Sequence, residues 1–81
     1  MENLKYILII EATVDFNILT RIITRLSRNR IEIKEMHMQT MGTIQTFTIT
    51  LSETKENVMK LSKRIDNEID VHSIKILEQL N

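Results

Sequence analysis

Cysteine, proline and tryptophan are absent from this sequence, and glycine occurs once. Without cysteine there are no disulfides and no zinc–thiolate sites, and the redox compartment is left open. The single glycine, Gly42, rules out a glycine-rich phosphate loop. No Pro/Gly/Ser-rich linker divides the chain, so its 81 residues read as one domain. Aromatics make up 4% of the residues, whereas an RNA-recognition sandwich needs stacking aromatics on its central strands. An excess of either charge is also missing: eleven basic residues face eleven acidic ones, for a net charge of +0. Nucleic-acid affinity rests largely on neutralising phosphates, so no nucleic-acid partner is expected. The apolar run between Leu4 and Ala12 is interrupted by Glu11 and is far too short to span a bilayer. Met1-Glu2-Asn3 is not a basic leader, and the expectation is a cytoplasmic protein away from membranes.

What is present is alternating amphipathic order. Tyr6 to Ile10 is continuously apolar, which suggests a central strand buried on both faces. Phe16, Leu19, Ile22, Ile23 and Leu26 recur at helical spacing, with Asp15 placed to cap the helix. Arg21, Arg25 and Arg28 fall on the other side and read as a solvated basic face, or as a patch for an acidic partner. Ile31 and Ile33 alternate, then Met36 and Met38, and the change from odd to even implies a bulge near Lys34-Glu35. Met41-Gly42-Thr43 reads as a hairpin turn. After it, Gln45, Phe47, Ile49 and Leu51 alternate with Thr46, Thr48 and Thr50. Ser52 or Thr54 caps a second helix with an inner stripe of Val58, Leu61, Ser62 and Ile65. Val71 to Leu77 is the last strand, and Glu78 to Asn81 reads as a frayed tail.

The expected elements are thus strand 4–12, helix 16–29, strand 31–41, strand 44–51, helix 55–67 and strand 70–77. Right-handed crossovers and short connections favour one arrangement of β-α-β-β-α-β. It is the α+β, ferredoxin-like sandwich: a four-stranded antiparallel sheet ordered second, third, first, fourth, with both helices on one face. Ile7 and Ile9 then point onto the uncovered face, and Met36, His37 and Met38 lie on an edge strand. A chain this short hides only about 60% of its unfolded surface. Together with that uncovered face, this makes a partner the expected source of extra stability. Ile7, Ile9, Met36, His37 and Met38 are the candidate interface residues.

No catalytic constellation is visible. His37 and His72 fall on opposite edge strands, too far apart to share a metal or a proton. The serines lack a nucleophile elbow. Met36, Met38 and Met41 read as a flexible packing or partner surface rather than a soft metal site.

The stretch ILIIEATVDFNILTRIITRLSRNRIEIKEMHM resembles the opening of an ACT domain, in particular that of the small regulatory subunits of acetolactate synthase. Leu19-x-Arg21-Ile22, Arg28-x-x-Ile31-x-Ile33 and Ile69-Asp70-Val71 carry the resemblance. In length the chain is most similar to the short, isozyme II type of small subunit. The resemblance implies a non-catalytic homodimer without cofactors of its own. Its partner would be a catalytic subunit using thiamine diphosphate, magnesium and FAD in branched-chain amino acid biosynthesis, which it would activate. In many members valine binds at a dimer interface, between the loop before the first helix and the neighbour's second strand. The matching positions here are Val14, Asp15, Asn17, Ile18, Glu32 and Ile33. Family loops read Asn-Glu-x-Gly-x-Leu, so Val14 stands for the ligand-binding asparagine and Asn17 for the glycine of close approach. Glu32 stands for a further asparagine, where its carboxylate would repel that of an amino acid. The implied sensing site is degraded for valine. The alternative is a stand-alone ACT-domain amino-acid sensor.

Overall fold

The structure is a computed structural model and describes residues 3–79. Its elements are β1 (Leu4–Thr13), α1 (Ile18–Arg28), β2 (Glu32–Met41), β3 (Ile44–Glu53), α2 (Lys55–Asp66) and β4 (Val71–Gln79). The strands form one antiparallel sheet ordered β2-β3-β1-β4, as the sequence led us to expect. Alternation places Tyr6, Leu8, Ile10 and Ala12 of β1 beside Phe47, Ile49 and Leu51 of β3 on one face. Ile18, Ile22 and Leu26 of α1 pack there with Val58, Leu61 and Ile65 of α2. Each such fully buried aliphatic or aromatic side chain stabilises the fold by about 1.5–3 kcal/mol relative to exposure. The helices therefore cover one face only.

Several expectations are corrected. β1 is not buried on both faces: Ile7 and Ile9 are half-buried on the uncovered side, because no layer lies there. Phe16 does not join the helical stripe and is wholly exposed; Ile18, one turn before Ile22, takes the core position. Asp15 does not cap α1. Its Oδ1 accepts the Asn17 N–H at 2.9 Å, forming a turn before the helix, and Asn17 occupies the cap position without a side-chain hydrogen bond. Glu78 and Gln79 are not frayed but continue β4, opposite Tyr6 and Lys5. The rest of that proposed tail, Leu80 and Asn81, lies outside the described residues, as do Met1 and Glu2.

The connections follow local chemistry. Gly42 opens the two-residue loop between β2 and β3 with φ +59°, which glycine adopts freely and a type II′ turn requires at that position. The bulge falls where the pattern changed phase, Ile33 facing Leu51 and Glu35 facing Thr50 with Lys34 between them. Thr54 caps α2, its Oγ1 accepting the Asn57 N–H at 3.3 Å. α1 ends in a Schellman motif: Ile31 N–H donates to Leu26 O and Arg30 N–H to Ser27 O, both at 3.0 Å. Arg30 occupies the left-handed position at φ 55°, where glycine is more usual. Tyr6 is buried with no hydrogen-bond partner for its hydroxyl among the described residues, and burial, aided by Glu78, raises its phenol above the usual 10.0.

Candidate functional site

The β1–α1 connection is pinned at its base and loose at its tip. Thr13 N–H donates to Asp70 O at 2.8 Å, and Val14 N–H to Thr43 O at 2.9 Å. Beyond these bonds the chain swings outward, leaving Val14 and Phe16 in solvent. A hollow of about 320 Å³ opens beneath, lined by Val14, Asp15, Phe16, Leu19, Met38 and Gln45. It is apolar apart from Asp15 and one buried acceptor. Gln45 Oε1 is buried without a hydrogen-bond partner, while its Nε2 donates to Met38 Sδ at 3.4 Å. A buried acceptor left unpaired costs about 1–3 kcal/mol.

The candidate effector residues are divided. Val14 and Asp15 line the hollow, and Asn17 stands at the start of α1. Ile18 is 0% exposed within the core, where a bound molecule does not reach it. Glu32 and Ile33 sit at the far end of β2, with Glu32 paired to Lys34 at 2.9 Å. Within one chain, β2 contributes Met38 to the hollow instead, and Leu19 and Gln45 complete the wall. Leu19 and Gln45 escaped the sequence reading as site residues, whereas Met38 was expected at an interface.

The interface candidates are also divided. Met36 and Met38 share the helix-side face of β2, Met36 half-buried against the core and Met38 exposed. Ile7, Ile9 and His37 belong to the uncovered face, His37 opposite Thr48. His37 contacts Glu35 Oε1 at 3.1 Å, and His72, on the opposite edge strand β4, contacts Thr13 at the end of β1. Among the described residues, no cluster of three or more acidic, histidine or cysteine side chains suits a metal. No helix there is long and apolar enough to cross a membrane.

The arginine stripe is not simply a solvated face. Arg21 meets Asp70 at 3.3 Å, Asp15 at 3.6 Å and Glu68 at 3.7 Å, and donates to Ile69 O at 3.0 Å. Arg25 Nε donates to Glu68 at 2.6 Å. Arg28 has no carboxylate within 4 Å among the described residues. The network ties α1 to the α2–β4 connection. Through Asp15 it also fixes one wall of the hollow.

No family model matches the sequence, and no curated protein matches it. Solved structures do resemble it. The ACT domain of GTP pyrophosphokinase from Chlorobium tepidum superposes with TM-score 0.84 at 12% identity, covering 93% of this chain and 99% of that one. The fold is that of an ACT domain. A homoserine dehydrogenase from Thiobacillus denitrificans matches 94% of this ACT fold through 17% of its own chain, with TM-score 0.79 and 18% identity. The C-terminal domain of the MgtC protein from Mycobacterium tuberculosis, TM-score 0.77 and 16% identity, covers 94% of this chain and 87% of that domain. At these identities the likeness establishes the ACT fold, and the function has to be argued from the residues.

Proposed function

We propose that this chain is a non-catalytic regulatory subunit that binds and activates the catalytic subunit of an acetolactate synthase, with weak or absent valine sensing. The observation that carries the reading is Phe16, fully exposed on the β1–α1 loop beside Val14 and Met38. Covering a phenylalanine side chain is worth about 1.5–3 kcal/mol, so this end of the sheet has a strong reason to meet another polypeptide. The ACT fold and the motif resemblance over Leu19–Ile22 and Arg28–Ile33 support the choice of partner. The edge of β2, which pairs on one side only, supports a homodimer joined near Met36 and Met38. Docking activates by preferring the cofactor-ordered state of the catalytic subunit, and tenfold activation needs only about 1.4 kcal/mol of preference. Thiamine diphosphate, magnesium and FAD belong to that partner. Mixing the purified subunits tests the reading: the two co-purify and the synthase rate rises, whereas an unchanged rate refutes it.

The hollow favours a second reading, a stand-alone sensor of small amino acids, because its wall of Val14, Leu19 and Met38 suits an aliphatic side chain. Calorimetry with branched-chain amino acids decides between them. Saturable micromolar binding without a partner protein supports the sensor.

A further inference from the structure

The uncovered face of the sheet carries an ordered pattern of charge. On β1 the residues pointing there are Lys5, Ile7, Ile9 and Glu11: a cation, two isoleucines and an anion. Lys5 and Glu11 are both exposed, and six residues of strand hold them about 20 Å apart, beyond reach of one another. Neither has an oppositely charged side chain within 4 Å among the described residues. Between them Ile7 and Ile9 are half-buried, and Leu77, paired with Ile7 on β4, is 49% exposed. Thr46, Thr48 and Thr50 of β3 fill the face beside them without adding charge. An apolar centre flanked by two unmatched charges of opposite sign is complementary to its own inverse.

We propose that two copies of this chain stack through these faces, related by a twofold axis that crosses the strands between Ile7 and Ile9. The axis lays Ile7 on the other copy's Ile9 and Lys5 on its Glu11, so each unmatched charge finds its opposite. Stacked sheets lie about 10 Å apart, a gap that a lysine and a glutamate side chain span together. The flanking strands agree with this axis. In register with the same rows, Glu35 of β2 lies over His37 and Leu77 of β4 over Lys75, and no two like charges meet. An axis running along the strands instead sets Ser52 over Lys5 and Thr46 over Glu11, leaving both charges unmatched. The β2 bulge hollows one end of the face, where Lys5, Lys34 and Gln79 form the border, and the other copy's Glu11 enters there. Four strands about 4.8 Å apart and about 33 Å long present roughly 600 Å² on each copy. Two such faces clear the roughly 1,000 Å² in total that a specific interface needs. The contact leaves the β2 edge and the Phe16 loop free and does not rest on the synthase reading.

Sedimentation equilibrium of the full chain alone measures the association, and charge variants assign it to this face. Lys5→Glu and Glu11→Lys each set like charges against one another twice and should weaken association about tenfold. The double variant Lys5→Glu/Glu11→Lys restores opposite charges across the axis and should associate as the original chain does. Both side chains are exposed, and circular dichroism checks that each variant still folds. A zero-length carbodiimide should also join Lys5 of one copy to Glu11 of the other as an amide, a link that their separation within one chain forbids. Four results overturn the proposal: a chain that stays monomeric at millimolar concentration, an association indifferent to the single reversals, a double variant no better than the singles, or Ile7 and Ile9 methyl resonances that move only when the synthase catalytic subunit is added.

Discussion

Replacing Arg21 by methionine separates two views of the first helix, because the substitution keeps a long apolar stem and removes the guanidinium. If the basic stripe merely faced water, the change would lie within about ±0.5 kcal/mol, as surface substitutions usually do. The contacts indicate more. Arg21 is 28% exposed and Glu68 13% exposed, so their ion pair is partly withdrawn from solvent. Fully exposed pairs contribute about 0–1 kcal/mol each. Breaking a buried pair costs about 3–5 kcal/mol, and these groups lie between the limits. Arg25 still serves Glu68 after the substitution, which discounts the loss. We expect Arg21→Met to cost about 2 kcal/mol, and each kcal/mol lowers Tm by about 4–8 °C in a domain of this size. Arg28→Met, on the same helix without a carboxylate partner among the described residues, is the internal control. Thermal unfolding should show a large drop for Arg21→Met and almost none for Arg28→Met. The difference should shrink near 1 M salt, where the screening length is about 3 Å. A double-mutant cycle with Glu68→Gln should return a coupling of at least about 0.5 kcal/mol. Equal Tm values for the two arginine variants would refute the network as a source of stability.

Arg30→Gly should stabilise the domain by about 1 kcal/mol in urea denaturation, since Arg30 holds a left-handed backbone that glycine adopts without a Cβ clash. Tyr6→Phe should leave Tm unchanged or raise it, because the deleted hydroxyl has no partner. The same phenol gives an alkaline signature: its folded-state pKa is raised, so the folded state holds the proton more tightly and stability falls as pH climbs above 10.0. That component should vanish in Tyr6→Phe, leaving a flatter stability profile at high pH. Phe16→Ser should leave Tm unchanged, since the side chain is wholly exposed, while weakening activation in the subunit-mixing assay.

The elements and their order were legible because burial on one face writes a period into the chain. The alternation through Phe47, Ile49 and Leu51 and the phase change before Met36 recorded both a strand and a bulge. The start of α1 was less legible. Asp15 has the chemistry of a cap, yet its carboxylate closes a turn two residues ahead, and Phe16 has the spacing of a core residue without the depth. Apolarity at the right interval does not say whether the helix has begun. The site was legible in part: Val14 and Asp15 were singled out, while Gln45 entered only as one position in a strand pattern.

The sequence by itself determined which residues turn inward along each element, and short right-handed connections then left little freedom in topology. Only the tertiary structure decided what the outward residues meet. Arg21 and Glu68 stand 47 positions apart in the chain and come together because α1 and the end of α2 pack over one sheet. Lys5, Lys34 and Gln79 border one hollow for the same reason: strand pairing joins segments whose local patterns carry no information about one another.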